Sequence, residues 1–282
     1  MQYQIFIPGG NKTALLMGLV DNLAQRKAIQ DKIMHQHAKD DDGEVEQVGF
    51  LSLNLEKPEL LMAGGEFCGN ATRAAAAYYL RECKVQEMQI ASSGCDRPLQ
   101  AGYTSSGDIW SEMPLQENID AMVQELGEAG IFWVQLEGIS HLVLSIQKSA
   151  NLLEQIKAEP CGETKKKIAL DYLENTLTTY VLNTGAAYGI MLLEEEGAQL
   201  KMHPFVYVET SDTCYYETAC GSGTMCVGLI EARLLGWESI SLSVLQPSGK
   251  CIGTSLQKRE DGSYIGKIFG AVSTREQGYT IE

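Results

Sequence analysis

Two short stretches of this chain put a thiol where a thiol can do chemistry. Cys68-Gly69-Asn70-Ala71-Thr72 runs straight into Arg73-Ala74-Ala75-Ala76-Ala77-Tyr78-Tyr79-Leu80, and Cys220-Gly221-Ser222-Gly223-Thr224 runs into Met225-Cys226-Val227-Gly228-Leu229-Ile230. Each cysteine stands just ahead of a strong helix former. At a helix N-terminus, unpaired backbone N–H groups and the helix dipole favour a thiolate. The shared pattern is Cys-Gly-x-x-Thr, and the copies lie about one domain length apart. The chain therefore reads as two similar halves, each offering one cysteine. A single Cys-Gly before an apolar helix is more often a buried small residue than a catalyst. Two copies in matching positions are hard to obtain from core packing alone.

If the halves face each other, two thiols and two sets of helix N–H groups flank one small ligand, and those donors suit a carboxylate. Such a site fits inversion at the Cα of an amino acid. One cysteine, as thiolate, removes the α-proton from one face, and the other, as thiol, returns a proton to the opposite face. Thiols have reference pKa values of about 8.5, and a helix N-terminus lowers them, so an ionised and a protonated member coexist near neutral pH. The helix ends also stabilise charge that grows on the carboxylate side in the transition state. So read, the reaction calls for a small-molecule amino acid and no cofactor; pyridoxal phosphate is not required.

The bulk numbers agree with an ordinary globular protein: 282 residues, 44% hydrophobic and 21% charged. A formal net charge of −15 argues against nucleic acid or an anionic membrane as partner. No apolar run approaches the roughly 20 residues of a membrane span, and Met1-Gln2-Tyr3-Gln4 lacks the features of a secretory signal, so a cytoplasmic protein with reduced thiols is expected. Cys214, Cys220 and Cys226 recur at even spacing, but there is no C-x-x-C pair and the histidines (His35, His37, His141, His203) are scattered, so no metal site is expected.

The elements that must position the cysteines follow from periodicity. Gln2 to Pro8 and Thr13 to Val20 read as strands, and Asp21 as the N-cap of a helix through about His37 with an inward stripe of Leu23, Ala24, Ala28, Ile29, Ile33 and Met34. Asp40-Asp41-Asp42-Gly43 reads as a turn. Val48 to Leu55 and Leu60 to Ala63 are strands that deliver the chain to Cys68, and Met88 to Ala91, Arg97 to Tyr103 and Ile109 to Met113 follow its helix. Gln116 to Gly130, acidic and rather helical, marks the boundary. The second half repeats the order, with strands at Ile131 to Leu136 and His141 to Ile146, helices at Ala150 to Ala158 and Lys165 to Glu174, and strands at Thr178 to Leu182, Tyr188 to Leu193 and Leu200 to Val208 before Cys220. Ser239 to Leu245, Gly249 to Leu256 and Tyr264 to Val272 close an α+β chain.

At these residues the sequence resembles the diaminopimelate epimerase superfamily of cofactor-independent amino-acid racemases and epimerases. Glu217-Thr218-Ala219-Cys220-Gly221-Ser222-Gly223 is close to the family's second cysteine motif and Cys68-Gly69-Asn70 fits the first, while Gly10-Asn11 and Glu46-Gln47 sit where the family has Gly-Asn and Asp-Gln. The resemblance implies an α+β fold of two pseudo-symmetric domains, each a curved mixed sheet around a central helix, with residues 1–117 in the first, 118–270 in the second and a last strand, 271–282, returning to the first. It implies Cys68 and Cys220 as catalytic groups, with Asn11, Gln47, Gly69, Asn70, Gly221 and Ser222 on the substrate. Glu209 is the nearest match to the family's Glu-Arg element, set either on the substrate ammonium or toward solvent. A homodimer is common in the family.

The departures bear on substrate. This chain has the short approach Ala63-Gly64-Gly65-Glu66-Phe67 where diaminopimelate epimerases carry a longer Asn-x-Asp-Gly-Ser segment, Gly138-Ile139-Ser140-His141 in place of Gly-Asn-Pro-His, and Glu209-Thr210 in place of Glu-Arg. Without the missing Asn and Arg, the distal zwitterion of diaminopimelate would be buried unpaired. The pattern is similar to the histidine racemases of the superfamily that supply D-histidine for metallophore biosynthesis. The expected function is a pyridoxal-independent amino-acid racemase acting on histidine; a diaminopimelate epimerase or a non-catalytic amino-acid-binding protein of the same fold are the alternatives. Phenazine-biosynthesis-like isomerases share the broad fold but use a carboxylate, and the usual motif text of proline racemases is absent. His141 and His203 read as structural, Glu217 as a helix-capping residue, and Tyr215 and Tyr216 as lining or packing on the pocket.

Overall fold

The computed structural model describes residues 1–40, 43–116, 118–209, 212–275 and 278–281. The chain divides into two compact units, residues 1–114 with 267–282, and residues 115–266. The first contains β1 (Gln2–Pro8), β2 (Thr13–Met17), α1 (Leu23–His37), β3 (Gln47–Leu51), β4 (Glu59–Met62), α2 (Gly69–Cys83), β5 (Glu87–Ser92), β6 (Leu99–Tyr103) and β7 (Ile109–Glu112). The second contains α3 (Ile119–Met122), β8 (Val123–Glu125), β9 (Ile131–Leu136), β10 (Ile139–Leu144), α4 (Ile146–Ala158), α5 (Gly162–Tyr180), β11 (Ala187–Glu196), β12 (Gln199–Val208), β13 (Thr213–Tyr216), α6 (Gly221–Leu235), β14 (Ser239–Leu245) and β15 (Cys251–Lys258). Strand β16 (Tyr264–Gly270) carries the chain back into the first unit, which β17 (Val272–Thr274) and β18 (Tyr279–Thr280) complete.

In the first unit the strands pair in a mixed ladder. β1 is antiparallel to β2, β17 and β18; β2 is parallel to β3, β3 antiparallel to β4, and β4 parallel to β5. From there β5, β6, β7 and the end of β16 run antiparallel in turn. Strands from both ends of this sheet, β1 and β7, pack against α2, so the sheet curls around that helix. The alanine run explains how: Ala71, Ala74, Ala75 and Ala76 are fully buried, and only small side chains let strands close on a helix from so many directions. In the second unit β8 to β13 form a ladder with one parallel step, β10 to β11. β14 adds beside β12, and β15 follows it. The central helix here is α6, apolar around most of its circumference and buried from Gly221 through Ile230, as a helix enclosed by strands must be.

Several expected elements are corrected. The first helix is capped by Asn22 rather than Asp21, its Oδ1 accepting from Gln25 N at 2.9 Å. Half of the expected stripe faces inward: Ile33 is buried and Ile29 and Met34 pack against the same core, whereas Leu23, Ala24 and Ala28 are exposed and Arg26 and His37 are buried instead. Arg26 donates to the carbonyls of Val20, Asp21 and Ala63, and His37 lies between Tyr3 Oη and Asp40 Oδ2, so polar anchors add to the apolar contact that fixes this helix. Asp41 and Asp42 of the acidic turn lie outside the described residues. Gln116 to Gly130 holds only one helical turn before β8 peels off to pair with β9. The strand expected at Thr178 to Leu182 is the end of α5 and its cap; Thr176 and Thr179 return their hydroxyls to the carbonyls of Tyr172 and Asn175, which lets β-branched residues sit in a helix.

Arg26 links α1 to Ala63, the start of the approach to Cys68. Arg26→Met strands three carbonyls and should lower unfolding free energy by about 2–4 kcal/mol, read from urea melts; an unchanged midpoint would mean the carbonyls find water instead.

Candidate functional site

Both cysteines are helix N-caps, and the local geometry repeats closely. Cys68 has extended backbone (φ −138°, ψ 112°) and its Sγ accepts from Ala71 N at 3.4 Å; Cys220 (φ −127°, ψ 112°) accepts from Gly223 N at 3.4 Å. The threonine of the repeat explains itself. Thr72 Oγ1 donates to Cys68 O at 2.8 Å and Thr224 Oγ1 to Cys220 O at 2.7 Å, closing the first turn onto the cysteine's own carbonyl. The glycine after Cys68 lies close to its neighbours: a Cβ there would lie 2.8 Å from Ile268 Cδ1 and 3.1 Å from Met113 Sδ, and the ends of those side chains would have to shift.

Around Cys68, the first unit gathers most of the residues expected on sequence grounds. The half-buried thiol donates to Gln47 Oε1 at 3.1 Å, Thr13 Oγ1 lies 3.3 Å from the same oxygen and 3.2 Å from Asn11 Oδ1, and Asn11 Nδ2 donates to Glu46 Oε2 at 2.8 Å. Asn11, Gln47 and Cys68 thus belong to one hydrogen-bonded line, with Thr13 and Glu46 as members that motif reading passed over. Asn70 Oδ1 accepts from Arg73 Nη2 at 2.9 Å, and Arg73 Nη1 donates to Gly270 O at 3.2 Å.

Around Cys220 the surroundings differ. The thiol is buried, Ser222 Oγ lies 3.4 Å from Sγ, and His141 Nε2 lies 2.8 Å from Ser222 Oγ. Gln246, fully buried in the β14–β15 connection, clamps the turn at both ends: Oε1 accepts from Cys220 N at 2.9 Å and Nε2 donates to Thr224 Oγ1 at 3.1 Å. The lowered thiol pKa expected at a helix N-terminus does not hold here. Burial and the Glu217 carboxylate, hydrogen-bonded to the thiol, push Cys220 well above the ordinary thiol range, and Ser222 and Gly223 N offset only part of this. Glu217 is therefore a partner of the sulfur. Glu209 is exposed in the turn after β12, its backbone N–H bonded to Ala186 O, and no hydrogen bond among the described residues ties it to the Cys220 group; Thr210 lies outside the described residues. Tyr216 stacks on Phe205 and reaches His203 Nδ1 at 2.8 Å. Among the described residues no cluster of three or more His, Cys, Asp or Glu is placed to hold a metal ion, and no helix is long and apolar enough to cross a membrane.

The fold is that of the racemase and epimerase class. The chain is similar to a hydroxyproline epimerase from Agrobacterium vitis (TM-score 0.61, 10% identity, covering 100% of this chain and 90% of that one). It is also similar to a PhzF-family phenazine biosynthesis protein from Bacillus anthracis (TM-score 0.58, 13% identity, covering 100% and 97%). In sequence, a histidine racemase from Fusobacterium nucleatum is 26% identical over 250 residues, covering 86% of this chain and 84% of that protein. Residues 1–280 match the histidine racemase CntK N-terminal domain family, and the chain belongs to that family.

His141 is fully buried, and burial alone pushes its pKa from 6.5 down to about 3, so it is neutral in the folded chain while the unfolded chain binds a proton below about pH 6.5. Its contribution to stability is complete above that pH and is lost as pH falls toward 3. Between pH 6.5 and 5 the loss should be on the order of 2 kcal/mol, measured as urea midpoints, and His141→Gln should flatten it; a wild-type curve as flat as the variant's would refute the assignment.

Proposed function

We propose that this chain is a histidine racemase that inverts Cα with two cysteines, Cys68 and Cys220, and without pyridoxal phosphate. Membership of the histidine racemase family gives the isomerase class. The observation that carries the mechanism is the pair of N-cap thiols, each with a helix N–H aimed at its sulfur and each held by the same threonine clasp. In this reading the Cα–H bond breaks as one thiolate takes the proton, its electron pair passes into the carboxylate-stabilised carbanion, and the other thiol's S–H bond breaks as its proton is delivered to the opposite face. Product leaves with one proton exchanged, and the cysteines have traded protonation states.

The helix ends serve the substrate carboxylate through their remaining N–H groups, including those of Gly69, Asn70, Gly221 and Ser222. Asn11 and Gln47 lie in the Cys68 line and are assigned to the substrate's polar groups; Glu209 is assigned to the ammonium. Family resemblance supports a cytoplasmic homodimer supplying D-histidine to metallophore biosynthesis.

The deciding experiment is ¹H NMR in D₂O with L-histidine, D-histidine and diaminopimelate. Loss of the histidine Cα–H signal, abolished in both Cys68→Ser and Cys220→Ser, is the expected result. Exchange of diaminopimelate alone would reassign the substrate. Binding of an amino acid without exchange would make the chain a binder.

A further inference from the structure

The two copies of Cys-Gly-x-x-Thr share their first turn and differ one residue later. Arg73 follows Thr72, whereas Met225 follows Thr224. Arg73 is fully buried, its side chain folded back over the first turn of α2 to reach Asn70 Oδ1 and Gly270 O. Its Nε has no hydrogen-bond partner, and among the described residues no carboxylate lies in ion-pair range of it. The groups whose negative charge would offset it are Cys68 as thiolate, at the cap of its own helix, and more weakly Asp108, in the turn before β7. A buried guanidinium without a counter-ion is costly to desolvate and is retained where something anionic offsets it.

The second copy has the opposite arrangement. Met225 is buried and uncharged, and its sulfur accepts a hydrogen bond from Thr254 Oγ1. Ser222 stands where Asn70 does and meets the neutral imidazole of His141, and the charge beside the thiol is Glu217. Gln47 reaches the first sulfur: its Oε1 lies 3.1 Å from Cys68 Sγ and 3.3 Å from Thr13 Oγ1.

We propose that Arg73 is the counter-charge of the Cys68 thiolate and that the free enzyme rests with Cys68 as the base and Cys220 as the acid. Arg73 is a positioning residue; it acts through Cys68. The proposal rests on the two-thiol reading and adds a direction to it. The enantiomer whose α-proton faces Cys68 is taken by the resting form. After turnover, with Cys68 protonated and Cys220 ionised, a proton must pass from Cys68 to Cys220 through solvent before that form is restored, unless the opposite enantiomer is turned over first.

The test measures thiol reactivity without substrate, so it stands apart from whether histidine is racemised. Iodoacetamide alkylation of Cys68 and Cys220 is followed by peptide mass spectrometry across pH, and the pH of half-maximal rate is taken for each thiol because it is insensitive to access. Cys68 should reach half its limiting rate at least one pH unit below Cys220. Arg73→Met, which copies the second motif, should slow Cys68 alkylation at neutral pH about tenfold or more while leaving the high-pH limit and the Cys220 profile in place, and Arg73→Lys should restore most of the rate. Equal half-maximal pH values in the wild type, or an earlier one for Cys220, would overturn the proposal even if no variant folds. A folded Arg73→Met with an unshifted Cys68 profile would also overturn it. Loss of racemisation in the cysteine variants with no difference between the thiols would leave the two-thiol reading intact and remove this one alone.

Discussion

Everything in this structure that bears on function depends on using sulfur as a helix N-cap. Oxygen is the usual acceptor at that position because it binds the free N–H groups at short range. Sulfur at 3.4 Å is a weaker acceptor, so the helix start is only partly satisfied by its own cap. The compensation is visible in both units. Threonine, four residues on, bonds the cysteine carbonyl, and in the second unit Gln246 ties the cysteine N–H to that threonine. The turn is therefore rigid without the sulfur having to hold it, and a sulfur released from structural duty can change protonation state without the helix end coming undone.

The same constraint explains why the surrounding sheets look as they do. A thiol at the start of a central helix is fixed only if the helix itself cannot rotate or slide, and α2 and α6 are each enclosed by strands arriving from several directions. Such enclosure demands small residues on the helix. The first unit meets the demand with alanines, and the second with glycine: a Cβ on Gly223 would lie 2.4 Å from Met191 Sδ, and one on Gly228 would lie 2.8 Å from Thr254 Cγ2.

How much of this was legible in the sequence follows from the range over which each signal acts. The Cys-Gly-x-x-Thr repeat is local, and it located both N-caps and the helices behind them. Strands with clear boundaries, such as Gln2–Pro8, Ile131–Leu136 and Ser239–Leu245, were read to the residue. What failed was decided at long range. The buried face of α1 depends on Arg26 finding carbonyls at Val20, Asp21 and Ala63, which no hydrophobic periodicity encodes. Strand β13 is four residues long and exists because β12 pairs with it. Gln246 and His141 lie far from Cys220 in sequence and reach it only through the fold, and the raised pKa of Cys220 follows from burial, which outweighs the helix-end effect that a sequence can suggest.

In the two-thiol reading, a perfect repeat would leave the shared proton unassigned. Two identical thiols in identical surroundings would share their proton evenly, and the protonation states would belong to the pair rather than to either member. A half-ionised pair is productive only in the fraction of molecules where the right member holds the charge for the enantiomer at hand. Divergence just after the conserved turn, Arg73 against Met225, and three residues before each cysteine, Gly65 against the buried Glu217, would break that degeneracy while leaving the geometry of the two caps intact. The shared residues thus keep the two caps alike in shape, and in the two-thiol reading the unshared ones would make the thiols unlike in charge, as an acid and a base acting on opposite faces of one carbon would use.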